Sequence, residues 1–325
     1  MAKRPIDISE EQLLEQDSSL LDLLLADKTT GTNIIWASSD YEEYGDAYRH
    51  DRPITPELIT GDKSDVIQPR IQKSKDSQMS RTRDKAEVFT PSWVCNAQNN
   101  LVDQAWFGRK AIFNTESGTT WKATKYSVEF PKRLGKTWED YVKCPRMEIT
   151  CGEAPYLVSR YDTVTGQPIS LRQRIGLLDR KLRVVHENVK GSEQWFLWVK
   201  EAYKSVYGYE YQGDNLLLAR ENLLLTYTDW VWHREKRNPT SEELREIAEI
   251  ITWNIFQMDG LKYVVPESCH DEEAAQGFLF EDEMHPCPGC EKNDWRLHNG
   301  LRCRIMDWDS GEVIPFTKLL EGERK

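Results

Sequence analysis

Residues 206–224 read Val-Tyr-Gly-Tyr-Glu-Tyr-Gln-Gly-Asp-Asn-Leu-Leu-Leu-Ala-Arg-Glu-Asn-Leu-Leu, and they carry the strongest structural signal in the chain. The aromatic and β-branched residues before Glu210 are typical of a short strand. The leucines that follow recur at helical spacing, which predicts a helix over residues 216–232. A strand that ends in a carboxylate and leads into a helix is typical of nucleotide-binding α/β folds, where the carboxylate binds both ribose hydroxyls. Glu210 is therefore a candidate cofactor ligand, and the alternative is a carboxylate that merely ends a strand at a turn.

Further strands and helices are predicted on both sides of this segment. The polar stretch over residues 38–85 contains three prolines and has no sustained period, so we expect an extended arm there. Strands that alternate with helices indicate an α/β sheet. The other predicted elements are a helix over 9–26, a helix that begins after Pro91 with Thr90 as its cap, strands over 147–150 and 205–211, and a helix over 241–258 capped by Ser241.

The composition indicates a globular protein. Among 325 residues, 39% are hydrophobic and twelve are Trp, which is ample for a core. No run of eighteen apolar residues and no export signal are found, so we expect a cytoplasmic protein that does not enter a membrane. The net charge of −11 disfavours DNA binding by phosphate neutralisation over the whole surface. Any DNA-binding surface must therefore be local.

Two stretches are locally basic, and each has two interpretations. The first, over residues 69–85, is either a DNA-binding segment or a solvated loop. The second, over residues 162–186, either contacts DNA or pairs with neighbouring acids. The basic residues in question are Arg70, Lys73, Lys75, Arg81, Arg83 and Lys85 in the first stretch, and Arg172, Arg174, Arg180, Lys181 and Arg183 in the second.

The cysteine pattern indicates a metal site. Seven cysteines without an export signal favour reduced thiols or metal ligands over disulfides. Cys287 and Cys290 lie in a Pro-Cys-Pro-Gly-Cys knuckle, and Cys269 and Cys303 flank it. These four thiolates are the predicted ligands of a structural zinc ion, with His270, His285 and His298 as substitutes. Unliganded, reduced cysteines are the alternative.

Four segments, in order along the chain, resemble motifs of adenine-specific DNA methyltransferases from restriction-modification systems. Residues 87–91 (Glu-Val-Phe-Thr-Pro) resemble the Phe-Thr-Pro signature that precedes the cofactor site. Residues 148–157 resemble the glycine-rich first motif, with Ala154 in place of its second Gly. Residues 206–224 resemble the second motif, and residues 304–308 (Arg-Ile-Met-Asp-Trp) resemble the third strand, whose terminal acid reads the adenine amine of the cofactor.

The resemblance implies a Rossmann-like S-adenosylmethionine-dependent methyltransferase fold over residues 85–325, preceded by a helix and arm over 1–84. Insertions are expected at 108–145 and 160–200, with a zinc loop at 266–304. The implied cofactor is S-adenosylmethionine, and the implied partner is DNA. The residues to which the resemblance gives a cofactor-binding role are Phe89, Thr90, Pro91, Cys151, Gly152, Glu153, Ala154, Glu210 and Asp307.

No catalytic residue is predicted, because the sequence contains neither Asn-Pro-Pro-Tyr nor Asp-Pro-Pro-Tyr, the motif that holds the target amine in the family. One hypothesis is a methyltransferase component that works with a second restriction-modification chain. The other is a catalytically inactive relative that binds DNA or protein. A nuclease is disfavoured, because it requires a metal-binding set of carboxylates with a Lys on a strand and turn, and Glu-x-Lys alone does not mark such a set.

Overall fold

The computed structural model describes residues 10–73, 90–131, 135–273 and 284–321. These residues form eleven α-helices and nine β-strands. The helices are α1 (Glu10–Gln16), α2 (Ser18–Leu25), α3 (Pro56–Ile59), α4 (Ser92–Phe107), α5 (Trp138–Lys143), α6 (Leu177–Asn188), α7 (Ser192–Lys204), α8 (Gly213–Glu235), α9 (Ser241–Asn254), α10 (Pro288–Lys292) and α11 (Lys318–Glu321). The strands are β1 (Asn114–Ser117), β2 (Thr120–Ala123), β3 (Arg146–Glu148), β4 (Val206–Glu210), β5 (Ile255–Gln257), β6 (Glu272–Glu273), β7 (Met284–His285), β8 (Arg304–Asp307) and β9 (Glu312–Pro315).

A small parallel sheet lies at the centre of this mixed α/β architecture. Its order is β3-β4-β5, and Gly208 in the middle strand aligns with Glu148 on one side and with Ile255 on the other. Parallel neighbours require crossover connections. Helices α6 and α7 connect β3 to β4, and α8 and α9 connect β4 to β5. Much of the predicted insertion at 160–200 therefore consists of the first crossover.

The helix that follows Glu210 is longer than predicted and starts against the N-terminal segment. Its Gly213 N–H donates to the carbonyl of Trp36 at 3.1 Å. A Cβ at Gly213 would lie 2.1 Å from the carbonyl oxygen of Ile35, so only glycine permits this approach. Helix α9 is capped by Thr240 rather than by Ser241, because Thr240 and Glu243 exchange the two hydrogen bonds of a capping box.

The N-terminal segment contains three helices, α1 to α3, with packed coil around α3, instead of one helix and an extended arm. The Asp17 carboxylate accepts the N–H of Ser19, so it ends α1 and caps α2. The coil that follows is buried through irregularly spaced apolar residues, which gave no periodic signal. These belong to the same apolar cluster as helices α8 and α9: Ile34, Trp36, Tyr41, Tyr48, Ile54, Ile59 and Ile67.

The third parallel strand is Ile255–Gln257, which corrects the expectation that residues 304–308 supply it. Within the described residues, β8 pairs with β9 as an antiparallel hairpin. The sequence pattern predicts that residues 255–257 end a helix, since these three residues follow α9 without a breaker. Asn254 lies where helix α9 ends and strand β5 begins. Its side-chain amide fixes this point, because it donates to the backbone carbonyls of Tyr203 and Val206.

In the 162–186 stretch, Arg174, Arg180 and Arg183 pair with carboxylates, as the pairing interpretation predicts, whereas Arg172 is exposed. Arg174 pairs with Asp229, and Arg180 pairs with Asp103. The remaining partners are Glu187 for Arg183, backbone carbonyls for Lys181, and the carbonyls of Thr124 and Lys125 for Arg172. In the first basic stretch, the ammonium of Lys73 pairs with buried Asp214 at 3.0 Å, and Lys75, Arg81, Arg83 and Lys85 lie outside the described residues.

Among the helices of the described ranges, none combines the length and apolar content that crossing a bilayer requires.

Candidate cofactor cavity and metal centre

A cavity of about 880 Å³ opens at the carboxyl ends of β3 and β4. Ligands of open α/β sheets bind at this edge, so its position is the expected one for a cofactor. Its floor is formed by the strand ends and the turns that follow them, and the N-terminal segment supplies one wall. The lining residues are Ala37, Ser38, Ser39, His50, Thr90, Glu148, Ile149, Thr150, Cys151, Gly152, Pro155, Tyr156, Glu210, Tyr211, Gln212, Asn215 and Glu267.

Glu210 ends the middle strand and is held by three backbone N–H groups. Its Oε1 accepts from Tyr211 at 2.9 Å and from Gln212 at 3.2 Å, and its Oε2 accepts from Gly152 at 2.8 Å. Burial raises the pKa of Glu210 above its ordinary value, and the three backbone hydrogen bonds oppose that rise. A carboxylate oxygen can accept two hydrogen bonds. Since Gly152 is the donor to Oε2 within the described residues, that atom retains capacity for a ligand hydroxyl.

The turn after β3 is built around Glu148. Its two carboxylate oxygens accept the N–H groups of Tyr156 and Leu157 at 3.2 and 3.1 Å. Burial raises the pKa of Glu148 well above its usual range, despite these two hydrogen bonds. Gly152 adopts φ +52 within this turn, which brings its backbone close to the Glu210 carboxylate. The turn is therefore fixed by the acid at its start and by the acid of the next strand.

The structure brings four of the predicted cofactor-binding residues to the cavity: Thr90, Cys151, Gly152 and Glu210. Others lie elsewhere. Glu153 turns away, because its carboxylate accepts from the N–H of Arg70 and from the hydroxyl of Tyr161, each at 2.6 Å. Ala154 is fully buried behind the turn, and Pro91 is the N-cap residue of α4. Phe89 lies outside the described residues.

Asp307 lies away from this cavity, as the last residue of β8 before the turn to β9. Its Oδ1 accepts from the N–H groups of Asp309 and Ser310, at 3.1 and 3.4 Å. The residue therefore closes a hairpin, as an Asp at a strand end commonly does. The acid that follows the true third strand is Asp259, whose Oδ1 caps the N–H groups of Leu261 and Lys262.

Sequence reasoning missed the wall contributed by the N-terminal segment. Ala37, Ser38, Ser39 and His50 line the cavity, although they lie about 100 residues or more before the glycine turn. His50 is positioned by Glu42, whose carboxylate lies 3.0 Å from its Nδ1. No local pattern marks these residues, because their position depends on packing between distant segments. Glu148 also lines the cavity, and its position at the start of the glycine-rich motif is the one sequence feature that could have indicated this.

A second site is a cluster that could hold a metal ion. The donor atoms of Cys269, Cys287, Cys290 and His298 all lie within 4.8 Å of one another. The His298 Nδ1 lies 3.6, 3.6 and 3.7 Å from the three sulfur atoms. Zn–S bonds of about 2.3 Å and Zn–N bonds of about 2.0 Å at tetrahedral angles give an S···N edge of about 3.5 Å. The three S···N distances are therefore close to those of a tetrahedral zinc site.

The backbone around Cys287 favours its thiolate form. Burial opposes ionisation, but hydrogen bonds from the backbone of Asn299 and Cys290 and from His298 lower the pKa of Cys287 to about 6. The thiolate is the form that binds metal. A Cβ at Gly289 would lie 2.4 Å from the backbone nitrogen of His298, so the glycine of the knuckle allows this histidine to approach.

Cys303 is not part of this cluster, which corrects the predicted ligand set. Its side chain is fully buried among Tyr209, Phe256 and Phe316, and its thiol donates to the carbonyl of Gln257 at 3.3 Å. Burial raises the pKa of Cys303 well above its usual range. Cys303 immediately precedes β8, and its side chain points into the core. His298 is the fourth member of the metal cluster.

Comparison of the chain with protein-family models, with curated proteins and with solved structures finds no match.

Proposed function

We propose that this chain is the S-adenosylmethionine-binding component of an adenine-specific DNA methyltransferase of a restriction-modification system, with a Rossmann-like fold. The observation that carries the proposal is the position of Glu210. Its carboxylate ends the middle parallel strand, lines the large cavity and accepts a hydrogen bond from the glycine turn of the neighbouring strand. From β5 to β3, the sheet has the 3-2-1 order of one half of a doubly wound fold.

The chemistry of the cavity fits this cofactor. A ribose offers two adjacent hydroxyl donors, and Glu210 is the acceptor that nucleotide-binding sheets place opposite them. S-adenosylmethionine also carries a sulfonium and an ammonium against one carboxylate, so its net charge is positive. The carboxyl groups of Glu210 and Glu267 line the cavity and favour such a ligand. By the resemblance described above, Thr90 lies where the methionine end is bound.

DNA and a second chain complete the proposed assembly. Transfer to an exocyclic amine requires groups that hold an extruded adenine against the methyl donor. These 325 residues contain no Asn-Pro-Pro-Tyr, so we assign that role to a segment outside them. In this arrangement the described chain binds the cofactor and positions its methyl group, and the partner segment holds the base.

We further propose zinc as the ion of the cysteine and histidine cluster, with a structural role. Three thiolates and one imidazole complete a tetrahedral shell, which leaves no position for a reactive water. The ligands come from segments separated by up to 29 residues. The ion would therefore tie the turn after β5 to the knuckle and to the segment that enters β8.

Titration calorimetry with S-adenosylmethionine tests the cofactor proposal. We expect the full chain to bind with a Kd in the micromolar range, and we expect Glu210→Gln to weaken binding by about 5- to 150-fold, equivalent to about 1–3 kcal/mol. The variant removes the charge of the acceptor and places an amide NH₂ against backbone donors. Glu249→Gln is the matched control, because Glu249 lies on α9, pairs with Lys28 and does not line the cavity. If neither the native chain nor the control binds the cofactor, the proposed function is wrong.

The pH dependence of this binding provides a second prediction. The pKa of Glu210 is raised by burial, so the carboxyl takes up a proton at a higher pH than an ordinary glutamate, whose pKa is 4.5. A protonated carboxyl loses its charge as an acceptor. Affinity for S-adenosylmethionine should therefore weaken as the pH falls, and the weakening should begin above pH 4.5. Measurement of the Kd from about pH 8 to about pH 5 tests this. The same series on Glu210→Gln should be flatter, and an equally steep decline in that variant would assign the titration to another group.

A further inference from the structure

The cofactor cavity and the metal centre share a wall. Tyr211 and Glu267 line the large cavity, and both also line a second cavity of about 200 Å³ that contains Cys269, Cys287 and Cys290. The two wall residues are joined directly, since the Tyr211 hydroxyl donates to Glu267 Oε1 at 2.8 Å. One hydrogen bond therefore lies between the two candidate sites.

On the cofactor side, Tyr211 directly follows Glu210, the acid at the end of the middle strand. The backbone N–H of Tyr211 donates to Glu210 Oε1 at 2.9 Å. The backbone carbonyl of the same residue accepts from the side-chain amide of Gln257 in β5 at 2.8 Å. A displacement of Tyr211 would therefore disturb both a donor to Glu210 and a link between neighbouring strands.

On the metal side, Glu267 lies two residues before Cys269, a member of the metal cluster. It adopts φ +59, a left-handed backbone that residues other than Gly rarely keep unless their surroundings hold them in it. The neighbouring Ser268 hydroxyl donates to the carbonyl of Val265 and accepts the N–H of Leu301. The conformation of Glu267 is thus maintained by contacts between two segments that the metal would join.

The second of these segments carries the histidine of the cluster. Asn299 follows His298 and exchanges hydrogen bonds with the backbone of His270, which follows Cys269. Bound metal would connect Cys269 to His298 and so close this small unit. Without that connection, side-chain and backbone hydrogen bonds alone would hold Glu267 against Tyr211.

We propose that metal bound by Cys269, Cys287, Cys290 and His298 holds the Tyr211–Glu267 wall in place and thereby positions Glu210 for the cofactor. Tyr211 and Glu267 are positioning residues in this scheme. The part that concerns the cofactor rests on the proposed function, whereas the effect of the metal on the wall does not.

Hydrogen exchange of the full chain, read by mass spectrometry, tests the effect on the wall without any cofactor. After zinc is removed by a chelator, peptides that contain residues 211–215 and 264–268 should exchange at least about fivefold faster, because local openings there become more frequent. Helix α7 is the internal control and should not change. Tyr211→Phe should speed exchange at 211–215 while zinc is bound, and zinc removal should add little to it. Tyr207→Phe, in β4 just before Tyr211, is the matched control variant.

Unchanged exchange around Tyr211 upon zinc removal would overturn the inference, as would a chain that binds no zinc. If chelation also speeds exchange in α7, the zinc-loaded Tyr211→Phe variant decides, because it keeps all four metal ligands. Slow exchange at 211–215 in that variant would overturn the inference. Calorimetry separates the two proposals. Zinc removal and Tyr211→Phe should each weaken S-adenosylmethionine binding by roughly tenfold, whereas no binding by the zinc-loaded native chain contradicts the proposed function and leaves the exchange result to decide the inference.

Discussion

Replacement of Asp103 by Ala is expected to lower the free energy of unfolding by about 3–5 kcal/mol, the typical result of removing one partner of a buried ion pair. The Asp103 carboxylate accepts from Arg180 Nη1 at 2.6 Å and from the Tyr141 hydroxyl at 2.8 Å. The side chains of Asp103 and Arg180 are each only 1% exposed. The variant leaves a guanidinium in the interior without its counter-charge, and urea denaturation followed by circular dichroism measures the loss.

The double variant Asp103→Ala with Arg180→Met is the control for this mechanism. It removes both charges and retains an apolar side chain against Phe113, over which the guanidinium lies. We expect the double variant to be more stable than Asp103→Ala alone, because the penalty comes mainly from the unpaired charge. A loss below about 1 kcal/mol in the single variant would show that Arg180 finds another partner or reaches water. The pair joins α4 to α6.

Replacement of Cys290 by Ser is expected to reduce bound zinc from about one ion per chain to less than about a tenth, as measured by elemental analysis after dialysis. Cys290 is exposed, so the substitution removes a ligand without creating a cavity in the core. Zinc binding to small structural sites contributes on the order of 10 kcal/mol to their folding. The segment over residues 258–316 should therefore become sensitive to proteolysis in this variant, while the helices over the sheet remain resistant.

Cys303→Ser separates the two possible ligand sets. This variant should keep its zinc, although burial of a hydroxyl among aromatic side chains should lower its stability. His298→Asn should lose the zinc, as Cys290→Ser does. Loss of zinc from Cys303→Ser combined with its retention in His298→Asn would restore the four-cysteine site expected from the sequence.

Local patterns in the sequence predicted the elements that form the floor of the cavity. The β4 strand and the helix after Glu210 were predicted because an aromatic strand, an acid and a leucine-rich helix follow each other without interruption. Thr90, Cys151 and Gly152 were placed by motif resemblance, and they line the same cavity as Glu210. In each case, the information lies within about twenty contiguous residues.

The features that were missed depend on distances between remote segments. Three histidines near the knuckle were equivalent in sequence, and only the approach of His298 past Gly289 selects one of them. The β5 strand contains three residues and is fixed by hydrogen bonds from Asn254 to segments about 50 residues earlier. Contacts of this kind leave no period in the sequence, which explains the misplacement of the third strand at Asp307.

The burial of the N-terminal helices under α8 and α9 has a consequence for biosynthesis. The partners of this segment are made late: Lys28 pairs with Glu249 across 221 positions, and Leu24 accepts from Arg220 across 196. At translation rates of about 5–20 residues per second, roughly 10–45 s pass between the emergence of the first helices and that of their partners. Throughout this interval Leu20, Leu21, Leu24 and Leu25, all fully buried in the finished protein, are without their partners. We therefore expect the apolar faces of α1 and α2 to stay accessible to chaperones until residues 220–249 have been made.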